Sequence, residues 1–188
     1  MADKIVFIDG NLVILRPLQR EDLPTVLRWM NDLEITRFLN AYRPLMIEDE
    51  EKWYEGLIGS TTNMVFAIET KGEDSKFIGT MGMHGINHRC QHAGTGALIG
   101  DSSCHGRGYG TDAKMHLLRW AFDTLNLRKV TSFVLANNPR SKRYLEKTGY
   151  CEVGVRRAHH FVDGEFVDEY IMEVFRDDFM KVWDTYNK

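Results

Sequence analysis

The spacing of apolar residues changes period several times along the chain, and each change marks an element. Leu12-Val13-Ile14-Leu15-Arg16-Pro17 predicts an opening strand that proline stops. From Asp22-Leu23-Pro24, the residues Val26, Leu27, Trp29 and Met30 recur at helical spacing, with proline tolerated in the first turn. Asn31 and Asp32 break that helix, and a short second one is predicted around 34–39. A third covers 48–57, with acids early and Trp53 and Leu57 on its apolar side. The spans 64–68 and 77–81 predict a strand pair joined by the polar turn Lys71-Gly72-Glu73-Asp74.

The second half begins with Thr95-Gly96-Ala97-Leu98-Ile99-Gly100, a short buried strand. Gly106-Arg107-Gly108-Tyr109-Gly110-Thr111 follows, and then a helix with Ala113, Leu117 and Ala121 on one face and Leu118, Phe122 and Leu125 beside it. Lys129-Val130-Thr131-Ser132-Phe133-Val134-Leu135 is a strand. Asn138-Pro139-Arg140-Ser141 opens another helix, which Gly149 ends. Closing strands are predicted at 152–161 and 166–174, joined by Asp163-Gly164. Helices and strands mix throughout without repeats or linkers, which predicts an α/β or α+β fold. One domain would take up residues 1–188, its core at about 11–175.

Composition narrows the class. A chain of 188 residues with 43% apolar content supports a sizeable core, and a net charge of -3 gives no positive field to recruit nucleic acid or acidic membranes. No long apolar run follows Met1-Ala2-Asp3-Lys4, so neither a signal peptide nor a membrane span is expected. Cys90, Cys104 and Cys151 are odd in number and widely spaced, which excludes a complete disulfide framework and a CxxC metal knuckle. The expectation is a cytoplasmic, metal-free protein. Cys104 lies beside the glycine-rich turn, as packing or as a reactive thiol.

Strand, glycine-rich turn and helix in that order leave bare backbone N–H groups at a positive dipole end. A phosphate would be held there without a lysine. The turn lacks the Gly-Lys-Ser/Thr ending of a P-loop, and Thr111 stands where a dinucleotide fingerprint needs its third glycine. An ordinary turn before a helix is the alternative.

The pattern resembles the acetyl-CoA pyrophosphate loop of the GNAT N-acetyltransferase superfamily, Gln/Arg-x-x-Gly-x-Gly/Ala, with His105 in place of Gln or Arg. Asn138-Pro139-Arg140-Ser141 and Leu145-Glu146-Lys147-Thr148-Gly149-Tyr150 are similar to its Asn-x-x-Ala/Ser…Glu-Lys-x-Gly-Phe helix. Glu152-Val153-Gly154-Val155-Arg156, Asp163-Gly164 and Asp168 resemble the branch that acetylates ribosomal-protein N-termini. So do Leu15-Arg16-Pro17-Leu18, Asp22, Trp29-Met30-Asn31-Asp32 and Glu34. The resemblance implies a mixed, twisted sheet whose fourth and fifth strands, here 95–100 and 129–135, splay apart. Acetyl-CoA would lie in the gap, its pantetheine on backbone groups of Ala97, Leu98 and Ile99 and on Asn138. Its pyrophosphate would rest on amides of His105, Gly106, Arg107, Gly108, Tyr109 and Gly110, with Thr111 beside them.

Acetyl transfer needs a deprotonated amine, a donor for the oxyanion, and a proton for the departing thiolate. In much of the superfamily a tyrosine four residues before the glycine of Gly-Phe gives that proton. Leu145 stands there, and Tyr144 points about 100° away around the helix. Ser141 is the substitute donor, with helix capping as its other reading. Gly94 falls where many relatives carry a glutamate base, which leaves His84, or one of His159 and His160, since neighbours on a strand face opposite ways. A water chain could replace a side-chain base. Asp32, Glu34 and Tyr42 lie where relatives bind the acceptor. The expected acceptor is a protein N-terminus, a polyamine or an amino sugar such as an aminoglycoside. The rival is a non-catalytic CoA-binding regulatory module. Oligomeric state stays open, a homodimer included.

Overall fold

In a computed structural model describing residues 5–39 and 41–187, eight strands form one sheet in the order β1-β2-β3-β4-β5-β6-β8-β7. Residues 1–4, on which the expectation about a leader rests, lie outside that range. The strands are β1 (Ile8–Asp9), β2 (Val13–Pro17), β3 (Met64–Thr70), β4 (Phe77–Asn87), β5 (His92–Ile99), β6 (Lys129–Leu135), β7 (Cys151–Val162) and β8 (Glu165–Phe175). The helices are α1 (Leu23–Met30), α2 (Leu33–Thr36), α3 (Ile47–Leu57), α4 (Tyr109–Asp123), α5 (Pro139–Lys147) and α6 (Arg176–Tyr186). Among the described residues no helix is long and apolar enough to cross a membrane.

Every pairing is antiparallel except β5 with β6, which is parallel and registers only His92 with Lys129, Ala93 with Val130 and Gly94 with Thr131. Beyond that point the two strands part, and one side-chain bond still spans them: Ser132 Oγ donates to the Thr95 carbonyl at 3.0 Å. These are the two strands expected to splay.

The periodicity of α4 translates directly into packing. Ala113, Leu117, Leu118, Ala121 and Phe122 are fully buried in the main core with Ile68, Ile78, Met81, Met83 and Val130. A smaller apolar cluster joins Leu18, Leu23, Val26 and Ala67 to residues of α1 and α3. Two elements go beyond the sequence reading. β1 is too short to carry a period, and α6 puts Phe179 against Phe122 with ring centres 5.3 Å apart. β4 runs on to Asn87 because its glycines are spacers and not stops. A Cβ on Gly79 would lie 2.0 Å from the Leu98 carbonyl oxygen.

The first turn of α4 is tied to the far edge of the sheet by a buried carboxylate. Asp112 accepts hydrogen bonds from the backbone N–H groups of Asn11 (3.1 Å), Leu12 (2.8 Å) and Val13 (3.0 Å) and from the Tyr186 hydroxyl. Three orphan donors in the β1–β2 turn are thus satisfied by one side chain. Gly10 leaves the room, since a Cβ there would lie 2.6 Å from Asp112 Oδ2. Asp112→Ala should cost on the order of 3 kcal/mol, because the Val13 donor stays buried without an acceptor and the half-buried bonds to Asn11 and Leu12 are lost with it. Urea unfolding with an unchanged slope would measure it.

Candidate active site

The loop after β5 enters α4 through left-handed glycines: Gly106 has φ 75° and Gly108, the residue that precedes the helix, has φ 86°. No side chain caps the helix, so its first amides are bare. They face a cavity of about 330 Å³ walled by Ala97 and Ile99 of β5, by Cys104, His105, Gly106, Gly108, Tyr109, Gly110 and Thr111, and by one face of α5. That face carries Asn138, Arg140, Ser141, Arg143, Tyr144 and Lys147. Residues 140, 143 and 147 are one turn apart on a helix, so three cations flank the bare amides. His105 joins loop and helix: its Nε2–H donates to the Ile99 carbonyl at 2.8 Å and its Nδ1 accepts from Arg140 at 3.1 Å. Leu98 faces the opposite side of the sheet, and Arg107 walls neither cavity.

On α5 the cap is Asn138, whose Oδ1 accepts from the Ser141 N–H at 3.0 Å, so the capping role does not belong to the Ser141 hydroxyl. Tyr144 walls the same cavity. Its hydroxyl is buried with no hydrogen-bond partner among the described residues, and burial pushes its pKa well up. Behind it lies Lys114, which burial brings down to about 7. Tyr150 is held by a 3.0 Å hydrogen bond between its hydroxyl and that of Thr95.

A second cavity of about 440 Å³ opens on the other face of β5, lined by Gly96, Ala97 and Leu98 and by residues of α1, α3 and β4. Ala97 walls both. Most of this lining is apolar, including Val26, Met30, Leu45 and Trp53, and against it stand Asp49, Glu50 and His84. Asp49 is taken by Arg43 at 3.1 Å and by the Met46 N–H at 2.9 Å. Glu50 is 5% exposed and has no hydrogen-bond or ion-pair partner among the described residues. Burial raises its pKa, and the neighbouring charge of Asp49 adds to that. His84 lies at the solvent-reached rim, its ring over two glycines. A Cβ on Gly82 would meet its Nε2 at 2.5 Å and one on Gly96 at 3.7 Å. Desolvation first, and then the charge of Lys114, lowers its pKa, which keeps the imidazole neutral near pH 7.

Other expected residues lie elsewhere. Asp32 caps α2, accepting from the Glu34 N–H at 2.9 Å, and both acids line a separate hollow beside His105 and Arg140. Tyr42 is 90% exposed and walls neither cavity. The expectation that His159 and His160 point to opposite faces is overturned. Ala158 takes φ 48°, the register with β8 slips between Arg156 and His160, and the two rings come within 4.8 Å. His160 bonds Glu169 at 2.7 Å and Arg156 takes the other Glu169 oxygen at 2.6 Å. Ligand atoms of His159, His160 and Glu169 lie within 4.8 Å of one another, away from both cavities.

Sequence reasoning passed over Glu50 and Lys114, and each had a visible signal. Glu50 shares helical spacing with Trp53 and Leu57, and Lys114 with Leu117 and Leu118. A charge on an apolar stripe is buried or at a site.

Residues 13–150 match the model of the acetyltransferase (GNAT) domain, and the chain belongs to that family. It is 23% identical over 168 residues to spermidine N(1)-acetyltransferase of Escherichia coli K12, covering 89% of this chain and 88% of that one. It is 25% identical over 137 residues to the putative ribosomal N-acetyltransferase YdaF of Bacillus subtilis, covering 73% and 70%. The spermidine N-acetyltransferase of Vibrio cholerae, solved with CoA and spermine, superposes with a TM-score of 0.82 at 23% identity, covering 89% of this chain and 98% of that one. Named relatives of the chain are N-acetyltransferases, so the fold and the enzyme class agree.

Folding raises the pKa of Glu50, so the unfolded chain ionises first. The stability this residue permits is complete below the ordinary carboxylate range and is lost as pH rises from there through the raised value of the folded state. Glu50→Gln should therefore unfold at higher urea than the parent protein at pH 7, with the difference closing towards about pH 4.

Proposed function

We propose that the protein is an acetyl-CoA-dependent N-acetyltransferase that moves the acetyl group to a primary amine by direct attack in a ternary complex. The observation that carries this reading is the pair of cavities sharing Ala97, one rich in anion-binding groups and the other holding a buried carboxyl that has no partner among the described residues. Bare amides at the start of α4, with Arg140, Arg143 and Lys147 around them, suit the phosphates of CoA. The Tyr144 hydroxyl in the same wall, unpartnered among the described residues, suits a group that needs a proton.

The acetyl thioester supplies an activated carbonyl. The protein's part is to orient it and to move protons. Past Gly94 the inner edge of β5 no longer has β6 as its ladder partner, so its backbone groups can hold the pantetheine arm and the oxyanion. The ammonium of the acceptor is drawn to Glu50, and its stem lies on the apolar lining of α1 and α3. His84, neutral at the rim, takes the proton that the nitrogen must lose before it attacks. Tyr144 donates to the leaving thiolate from the other side of the sheet, with Ser141 in the same cavity wall. Much of the acceleration comes from holding the two reactants in line.

One cationic group on an apolar stem fits this cavity, which supports a small amine or the first residue of a peptide as acceptor. Spermidine is the substrate named for the Escherichia coli relative, and YdaF is named for ribosomal acetylation.

The test is thiol release from acetyl-CoA with a panel of alkylamines, polyamines, amino sugars and peptide N-termini. Release with none of them, alongside clear CoA binding, would leave a regulatory CoA-binding module. Gly108→Asp places a side chain and a negative charge at the bare amides and should weaken CoA binding at least about tenfold, read by calorimetry. Tyr144→Phe should lower kcat about a hundredfold with little change in the KM for acetyl-CoA, and Ser141→Ala should lower it less.

A further inference from the structure

Lys114 is a cation where the pattern of α4 calls for an apolar residue. It shares the buried face with Ala113, Leu117, Leu118 and Ala121 and is 1% exposed. Among the described residues it has no ion-pair partner. Asp112, the nearest acid on the same helix, is engaged by residues 11–13 and Tyr186. The Lys114 Nζ instead faces two aromatic rings, 5.9 Å from the centre of Tyr144 and 5.8 Å from that of Tyr150.

This places the cation between the two cavities. Tyr144 walls one of them with a buried hydroxyl that has no partner among the described residues, and the field of Lys114 reaches His84, which walls the other. The titratable groups that face it are Tyr144 from α5, Tyr150 just beyond α5, and His84 through the sheet from β4. β5 offers Thr95, whose hydroxyl holds Tyr150. Packing does not require a lysine here, because an unbranched apolar side chain would fill the same space without the cost of burying an amine.

We propose that Lys114 is a positioning residue of acetyl transfer, its ammonium held against Tyr144 beneath the parted strands so that its positive field favours departure of the thiolate. The inference rests on the acetyl-transfer reading above. In the step, the acceptor nitrogen bonds the acetyl carbon and the C–S bond breaks with its electron pair on sulfur. The Tyr144 proton goes to that sulfur, and the phenolate left behind is stabilised by the Lys114 ammonium. The proton shed by nitrogen leaves past His84 to solvent, and solvent returns one to Tyr144.

Lys114→Met removes the charge and nearly keeps the shape, so the variant should melt at a higher temperature than the parent while its kcat falls on the order of tenfold to a hundredfold. A merely structural lysine would not produce that opposition. Burial holds Lys114 at about 7, so the ammonium is present below that pH and lost above it. The parent kcat should carry a limb that declines through this range. Lys114→Met should lack that limb, and Lys114→Arg should keep its activity past it.

A readout independent of turnover is the thiolate absorbance of bound CoA near 240 nm, which should rise at lower pH in the parent than in Lys114→Met. If Lys114→Met binds CoA normally with unchanged kcat and an unchanged thiol titration, the role of Lys114 is overturned alone. If the parent binds no CoA, the acetyl-transfer reading falls and takes this inference with it.

Discussion

Three registered residue pairs between β5 and β6, and then none, set up the whole site. A parallel ladder that continued to Ile99 would close the sheet and bury both strand edges in hydrogen bonds. It stops at Gly94 and Thr131, and side chains occupy the place of the missing rungs. Ser132 takes the Thr95 carbonyl, and the Thr95 hydroxyl takes Tyr150. The remaining backbone groups on that edge of β5 have no rung to β6. The loop and α4 follow β5, and α5 follows β6, so the parting also delivers the bare amides and the cationic helix face to one cavity.

Buried charge in the molecule divides along this line. Away from the opening, ionised groups are saturated: Arg16 is held by Asp22 at 2.7 Å and Glu69 at 2.7 Å, and Asp112 is fully engaged by donors. Next to the opening, Glu50, Lys114 and the Tyr144 hydroxyl lack such partners among the described residues. Burial then acts on them without compensation, raising the carboxyl and the phenol and lowering the amine. The carboxyl and the amine are both moved towards neutral pH, and the phenol keeps its proton.

Legibility followed the range of the interaction. Helical and strand periods located nearly every element, because burial on one face of α4 or β6 is repeated at every turn or every second residue. Glycines at 106 and 108 were legible for the same local reason: a left-handed turn tolerates little else. The basic face of α5 could be counted from positions 140, 143 and 147. His159 and His160 show where local rules fail. Strand alternation holds only while the register does, and the left-handed Ala158 breaks it. Asp32, Glu34 and Tyr42 likewise shared a plausible stretch of sequence without sharing a cavity with Glu50.

By itself the sequence determined the order of most elements, the glycine-rich turn into α4, and membership of a family of N-acetyltransferases, since all three depend on residues close together in the chain. Tertiary structure alone decided which side chains line the two cavities that share Ala97. Glu50 and His84 in one cavity, Tyr144 in the other and Lys114 against the Tyr144 ring come from four elements separated by tens of residues, and only the packing of helices on a parted sheet brings them near β5. Their acidity was equally out of reach of the sequence, because a pKa is set by what surrounds a group and not by what precedes it.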